Sequence, residues 1–337
     1  MTVTIRRRHL AALLCAALGC GLAWSQVPAA GSGQGGPASF PNKPIRMIVP
    51  LAAGSAVDNA ARIVAQKMGQ NIGQSIVIEN QPGAAGLIGA GAVAKAAPDG
   101  YTLGGFNDSI MTMLPNLQAK MPWEILKDFE PVSLVATVEW GLVVNAEAPQ
   151  RSAADLIASA RSAPGKINYG SGGNGSPQHI AMALFASQAK VQMTHVPYKG
   201  ATQAAMGVAG KEVDTAFQGI ATVNSLVKAG KLRLVGVTTP RRMPQFPDVP
   251  TVAESGLPGF EFNSWFAMMA PAGTPKPILQ YLSAEVTRAL ADPEVREKLN
   301  AQGLTPRGTS PDDLGKAMRL QLARYGELIR QNGITAE

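Results

Sequence analysis

Apolar positions along this chain follow two alternating rhythms. Short runs rich in Val, Ile, Leu and Phe have the length and composition of buried strands. Between them lie stretches in which apolar residues recur every three or four positions, as on one face of a helix. The pattern predicts a strand over 45–50, a helix near 57–70, a strand over 76–79, a helix near 84–96 and a strand over 101–106. After a long, mostly apolar stretch over 132–145 the alternation resumes: helix 153–161, strand 167–169, helix 177–188, strand 192–197, helix 202–209, strand 213–217, helix 223–229 and strand 232–238. A Pro-rich segment, 240–258, breaks the rhythm. One more strand over 265–270 follows, and helices near 278–291, 294–302 and 314–330 close the chain.

Strands separated by helices of this length imply α/β units whose sheets are mainly parallel and covered on both faces. Two such units of similar size are expected. The apolar runs 141–145 and 264–270 are placed to be paired crossovers between them, so that the C-terminal helices return to the first unit. The expected domains are a discontinuous first lobe, 40–142 with 246–337, and a second lobe, 143–245; two lobes joined by two strands can hinge over a ligand.

Composition narrows the class. The 337 residues are 46% hydrophobic and 16% charged, with 36 Gly and 25 Pro, which excludes a disordered, collagenous or coiled-coil chain and leaves length for two cores. Arg6, Arg7 and Arg8 precede an uncharged stretch over 10–24, the layout of an export signal, and its apolar part falls short of the roughly 20 residues of a membrane span. Ala23 and Ser25 place cleavage near Gln26, making 1–25 a signal peptide and 26–39, rich in Gly, Ser, Pro and Ala, a flexible leader. Periplasmic release is favoured; twin-arginine export, a single anchoring helix and lipidation at Cys20 are the alternatives. Both cysteines, Cys15 and Cys20, lie inside the signal, so the mature chain is expected to have no disulfide, thiolate nucleophile or thiolate metal site. Without the three signal arginines the formal charge drops from +7 to +4, too mild and scattered for a nucleic-acid surface.

Candidate chemistry gathers where strands end and helices begin. Strand 45–50 leads into Leu51-Ala52-Ala53-Gly54-Ser55-Ala56, and strand 167–169 into Gly170-Ser171-Gly172-Gly173-Asn174-Gly175-Ser176, each followed by a helix. Small residues there let a ligand approach the backbone, and helix N-termini offer unpaired amides that favour anions. Ser55 and Asp58 also suit simple helix capping. Gly170, Gly172 and Gly175 match a dinucleotide fingerprint, but the next strand carries Met193, Thr194, His195 and Val196 where an acidic ribose anchor belongs. A carboxylate-binding nest of amides is preferred to a nucleotide site. Ser176 and His179, three positions apart, leave an exported serine hydrolase as an alternative, although no Gly-x-Ser-x-Gly elbow surrounds the serine. His179 and His195, without a carboxylate cluster, make no metal site.

Many segments in the same order resemble one family, the Bug-type periplasmic solute-binding receptors of tripartite tricarboxylate transporters. They include Pro41-Asn42-Lys43-Pro44-Ile45-Arg46, Glu79-Asn80-Gln81-Pro82-Gly83-Ala84-Ala85-Gly86, Ala97-Pro98-Asp99-Gly100-Tyr101-Thr102-Leu103, Asn168-Tyr169-Gly170-Ser171, His195-Val196-Pro197-Tyr198-Lys199-Gly200 and Pro247-Asp248-Val249-Pro250-Thr251. The resemblance implies a two-lobed, type II periplasmic-binding-protein fold, two mixed sheets flanked by helices with a hinge and a cleft between the lobes. It implies a monomer that binds a small carboxylate and hands it to two membrane permease subunits, with no catalysis, cofactor or metal; a sensor uncoupled from transport is the alternative. On this resemblance Ala53, Gly54, Ser55 and Ala56 form one wall of the cleft and Ser171, Gly172, Asn174, Gly175 and Ser176 the other, with His179 and Tyr198 nearby. The chain departs from the family pattern at Ser55, where a second glycine is common, and at Asn107, Asp108 and Ser109, which replace a Gly/Thr/His-rich loop. It departs again at Gln218, where an aspartate is common. Losing that acid disfavours a ligand with an ammonium group, because a neutral amide pairs with it poorly. The expected ligand is a carboxylic acid without an amino group, aromatic or dicarboxylic, with Asp108 facing either cleft or solvent.

Overall fold

In the computed structural model the described residues are 40–331 and 333–335; the expected signal and leader, with Cys15 and Cys20, lie outside them. The chain opens with strand β1 (Ile45–Val49), helix α1 (Ala56–Ile72), β2 (Ile76–Asn80), a 3-10 turn (Ala84–Gly86), α2 (Leu87–Ala94) and β3 (Thr102–Asn107). A π turn (Ser109–Met113) runs into the short helix α3 (Leu114–Leu117), followed by β4 (Phe129–Val138). Then come β5 (Trp140–Asn145), α4 (Ala153–Ser162), β6 (Asn168–Ser171), α5 (Pro177–Ala189), β7 (Thr194–Pro197), α6 (Ala201–Ala209), β8 (Thr215–Gly219), α7 (Ile220–Lys228) and β9 (Leu232–Val237). Strand β10 (Ser264–Pro271), helices α8 (Lys276–Ala291) and α9 (Pro293–Asn300), β11 (Leu304–Pro306) and α10 (Pro311–Gln331) complete it.

Among the described residues eleven strands form two sheets, ordered β11-β4-β10-β3-β1-β2 and β7-β6-β8-β5-β9. Both are mixed. The βαβ segments pair in parallel, β1 with β2 and β3, and β6 with β7 and β8. By contrast β10 runs antiparallel to β3 and β4, and β5 antiparallel to β8 and β9. Alternation alone suggested mainly parallel sheets, but a strand that arrives from the other sheet, without a helical return, is not bound to parallel pairing.

The apolar stretch over 132–145 proves to be two strands in different sheets, broken at Glu139. There the backbone N–H donates to the Gly303 carbonyl at 2.9 Å and the carbonyl accepts from Ile220 N at 2.9 Å. The chain returns through the Pro-rich stretch after β9, where Val252, Leu257, Phe260 and Phe262 are buried. The expected crossovers at 141–145 and 264–270 are therefore full strands of their own sheets, β5 and β10, with the passages just before them. Helices α8 and α10 pack on β4, which returns the C-terminal part to the first sheet.

Local sequence explains the elements around the cleft. In α1 the Ser55 hydroxyl accepts from Asp58 N, Gly73 ends the helix at φ 70°, and Val57, Ala60, Ala61, Val64, Ala65 and Met68 form its buried stripe. Helix α5 starts in the same way, with Ser176 at the cap and Pro177 in the first turn, where a missing N–H costs nothing.

Candidate functional site

A cleft runs between the two sheets at the C-terminal ends of β1, β3, β6 and β8. Its walls are largely helix beginnings. Ser55, Ala56 and Val57 open α1, Gly86 caps α2, Ser176, Pro177 and Gln178 open α5, Gly200 and Ala201 open α6, and Gly219 with Thr222 opens α7. Amide groups in a first helical turn have no partner within the helix, and their dipoles add up to a positive field. Among the described residues no Asp or Glu lines the cleft, and Lys199 is its charged side chain. Pro50, Leu51, Pro82, Val138 and Trp140 supply apolar surface between the donors. The arrangement suits an anion with a small carbon skeleton.

The two walls touch. Ala56 N donates to Thr222 Oγ1 at 2.9 Å, Asn59 Nδ2 to the Ala221 carbonyl at 3.0 Å, Thr202 Oγ1 to the Ala53 carbonyl at 2.9 Å and Ser109 Oγ to the Gly175 carbonyl at 2.6 Å. Gly219 permits the approach, because a Cβ there would stand 3.0 Å from the Ala56 methyl and from a Val138 methyl. These bonds join elements of the first sheet to elements of the second, so the structure holds the cleft shut.

Of the residues singled out from sequence, Ser55, Ala56, Asn107, Gly172 and Ser176 line the cleft. Ala53 and Gly54 lie just behind: Ala53 bonds Thr202, and Gly54 (φ +76°) donates from its N–H to Asp58 Oδ2 at 2.9 Å. Asn174 and Tyr198 face an outer groove with Pro82, Gly83 and Lys199. The Tyr198 hydroxyl donates to Glu212 at 3.0 Å. Gln218 is buried under the cleft, accepting from Gln178 Nε2 at 3.5 Å and donating to the Ala201 carbonyl at 3.2 Å. Asp108 faces neither cleft nor solvent: it is 0% exposed, with Oδ1 accepting from Ser264 Oγ at 2.6 Å.

Ser171, Gly175, His179 and His195 support the second wall from beneath. His179 Nδ1 accepts from Gly175 N at 3.1 Å, and Ser171 Oγ lies 2.6 Å from His195 Nε2 while accepting from Gly173 N at 3.1 Å. The two imidazoles stack with centroids 4.3 Å apart. Ser176 Oγ instead accepts from the His179 backbone N–H at 3.4 Å, so the pair behind the hydrolase alternative is a helix cap, with the imidazole occupied elsewhere. Burial holds both imidazoles down to about 4 from their usual 6.5, with the neighbouring His195 adding to the effect at His179. A proton on His179 Nδ1 would turn the acceptor of Gly175 N into a second donor and release the loop. The unfolded chain binds these protons near pH 6.5 and the folded chain only near 4, so stability rises with pH across that window and is lost as pH falls through it. A melting series from pH 7.5 to 4.5 should show this loss, shallower in His179→Gln, whose amide oxygen still accepts from Gly175; an equal slope in both proteins would clear His179 of the role.

Sequence inspection missed much of the lining. Lys199-Gly200 and Gly219 each end a strand before a helix, the same signal used for Ser55 and Ser176. Pro82–Gly86 stood out only as a familiar segment. Trp140, Thr222 and Ser264 gave no local signal.

A family model described as "Tripartite tricarboxylate transporter family receptor" matches residues 60–334. The chain belongs to this receptor family. It is 38% identical over 299 residues to the "UPF0065 protein in tcbD-tcbE intergenic region" of Pseudomonas sp. strain P51, covering 88% of this chain and 89% of that one. Among solved structures it resembles Rpa4515 of R. palustris with adipate (34% identity, TM-score 0.85, 88% of this chain and 99% of that one). It also resembles MatC of Rhodopseudomonas palustris with bound malate (31% identity, TM-score 0.81, 86% and 100%). The tripartite tricarboxylate transporter receptors are solute-binding proteins, and the two mixed sheets seen here are the periplasmic-binding-protein fold expected from the resemblance.

Proposed function

We propose that this receptor binds a small dicarboxylate in the closed cleft and delivers it, from the periplasm, to the permease of a tripartite tricarboxylate transporter. The observation that carries this is the lining itself: five helix N-termini and several hydroxyls converge, and among the described residues no carboxylate opposes them. A carboxylate there meets donors already in place, and closure strengthens each contact by excluding water. An ammonium group would find no acidic partner, since Asp108 is buried behind Ser264 and Gln218 is neutral. Adipate and malate, bound to the two neighbouring receptors, are both dicarboxylates without an amino group.

Two lobes, one on each sheet, would open by rotation at Glu139 and within 238–263, breaking the bonds from Ala53, Ala56, Asn59 and Ser109 across the cleft. The receptor acts as an exported monomer, and its ligand-closed form is the one the permease recognises. The test is a thermal-shift and calorimetric screen of malate, succinate, adipate, citrate, benzoate, aspartate and lysine. A dicarboxylate at about a hundred times its Kd should add about 2.7 kcal/mol of stability, on the order of 5 °C in Tm. If none of the acids shifts the melt, or only lysine does, the proposal fails.

A further inference from the structure

Trp140 is the first residue of β5, directly after the crossing at Glu139, and it lines the cleft while only 3% exposed. Its indole Nε1 is buried and has no hydrogen-bond partner in the protein. Buried donors are nearly always satisfied, and each exception calls for a reason. Among the described residues, seven buried side-chain polar atoms lack a partner, and Trp140 Nε1 is the one carried by a residue of the cleft.

The ring is fixed from both sides of the hinge. Phe262 packs edge-on against it, with centroids 5.3 Å apart and planes at 88°. The Trp140 backbone carbonyl accepts from Thr238 N at 3.0 Å and from Thr238 Oγ1 at 3.2 Å, and that same hydroxyl donates to the Phe262 carbonyl. These contacts anchor the Trp140 backbone and pack Phe262 against its ring. Two other polar side chains of the cleft are bonded within the protein: Asn107 Oδ1 accepts from Ile110 N at 3.1 Å, and Ser264 Oγ donates to Asp108 Oδ1 at 2.6 Å.

The cleft also has a direction. Pro82, Gly83, Ala85, Gly172 and Lys199 line both the cleft and the outer groove, which makes them its mouth. Trp140 stands opposite Gly219 in the β5–β8 pairing, beside Val138, on the floor where the chain crosses between sheets.

We propose that Trp140 is a specificity-determining residue: its indole N–H donates to the second carboxylate of a dicarboxylate whose first is held at the helix N-termini. This rests on the carboxylate-receptor reading above and deepens it, since a site built around a buried donor discriminates against a ligand that leaves the donor unpaired. A monocarboxylate of equal length would occupy the same helix termini and leave Nε1 as it is.

Trp140→Phe keeps the aromatic packing and removes the N–H. Calorimetry should show affinity for succinate, malate or adipate falling about 10- to 100-fold, with butyrate and hexanoate changed less than about threefold. In the wild-type protein, 15N spectra should show the Trp140 indole N–H resonance, assigned by its loss in the variant, shifting on addition of the dicarboxylate and staying put with the monocarboxylate. Should the variant fold poorly, the 15N-labelled wild-type protein decides alone, through the number of tryptophan indole resonances that respond to each acid. An unchanged dicarboxylate affinity, equal losses for both classes, or an indole signal indifferent to the dicarboxylate would overturn the proposal. A wild-type protein that binds no carboxylate at all would instead sink the receptor reading on which it stands.

Discussion

Gly172→Asp is expected to lower affinity for any carboxylate by at least about a hundredfold while leaving the protein folded. Gly172 lines the cleft, and a Cβ built on it would stand 3.2 Å from Ala201 N and 3.2 Å from Gln178 Oε1. The backbone there has an ordinary φ, so the substitution asks only for a few tenths of an ångström of movement, by the Gln178 amide on one side and the Gly200-Ala201 backbone on the other. An aspartate at that spot would present its carboxylate to the opening turns of α5 and α6, the place proposed for the ligand. Two like charges about 4 Å apart cost about 4 kcal/mol at an effective dielectric of 20, close to a thousandfold in binding. The same carboxylate would satisfy the helix termini, so the melting temperature without ligand should hold or rise. Gly172→Asn is the control, matching the shape without the charge. If both variants lose binding equally, bulk and not charge is responsible, and the anion-selective account of the cleft is wrong.

Asp108→Asn is expected to give the largest stability effect and to reveal a pH dependence that the histidines mask. Burial raises the Asp108 carboxyl from 3.8 to about 7, against the lowering effect of its bonds from Ser264 and from the Trp265 and Ser109 backbones. Burial raises the nearby Tyr325 hydroxyl, and the Asp108 carboxylate adds to this through its charge and a side-chain hydrogen bond. Between about pH 4 and 7 the folded chain holds this proton more tightly than the unfolded chain, so stability falls as pH rises through that window. The full effect is at most on the order of 4 kcal/mol above neutral pH. An asparagine keeps an oxygen for Ser264 and removes the charge. The stability of the variant minus that of the wild type should therefore be near zero at pH 4 and strongly positive at pH 8, by denaturant unfolding. Since His179 and His195 act with the opposite sign below 6.5, the variant should also lose stability more steeply in acid. A difference that is negative and flat across the range would mean that Asp108 is ionised and needed.

Much of the fold was legible because its signals are local. Ser55 and Ser176 cap helices three residues before the amides they accept from, and those caps, with Gly73 and Pro177, mark the ends of α1 and α5. The switch between strand and helix periodicity located the repeated βαβ units within a few residues. The π turn after Asn107 was not legible: Asp108 caps it by accepting from Ser109 N, but Ser109-Ile110-Met111-Thr112-Met113 has no breaker to set it apart from an α-helix, and all five residues are buried. Nor was the burial of Asp108. A short acidic residue near a strand end reads as cleft or solvent until Ser264, 156 residues away, is seen to cover it.

The sequence alone determined the chemistry of the turns: small residues at strand ends followed by capped helices commit the backbone to exposing N–H groups, whatever surrounds them. It also determined the family, through ordered segments spread along the chain. Only the tertiary structure decided which of those turns face one another and which residues stand between them. Gly200 and Gly219 enter the cleft, Tyr198 turns outward, the two histidines go beneath the loop, and Trp140 and Ser264 come in from the two crossings. Capping and periodicity act over three or four residues, whereas the convergence of β1, β3, β6 and β8 is set by the packing of two sheets, the first of which the chain leaves and re-enters around the second, and no short stretch of sequence carries that information.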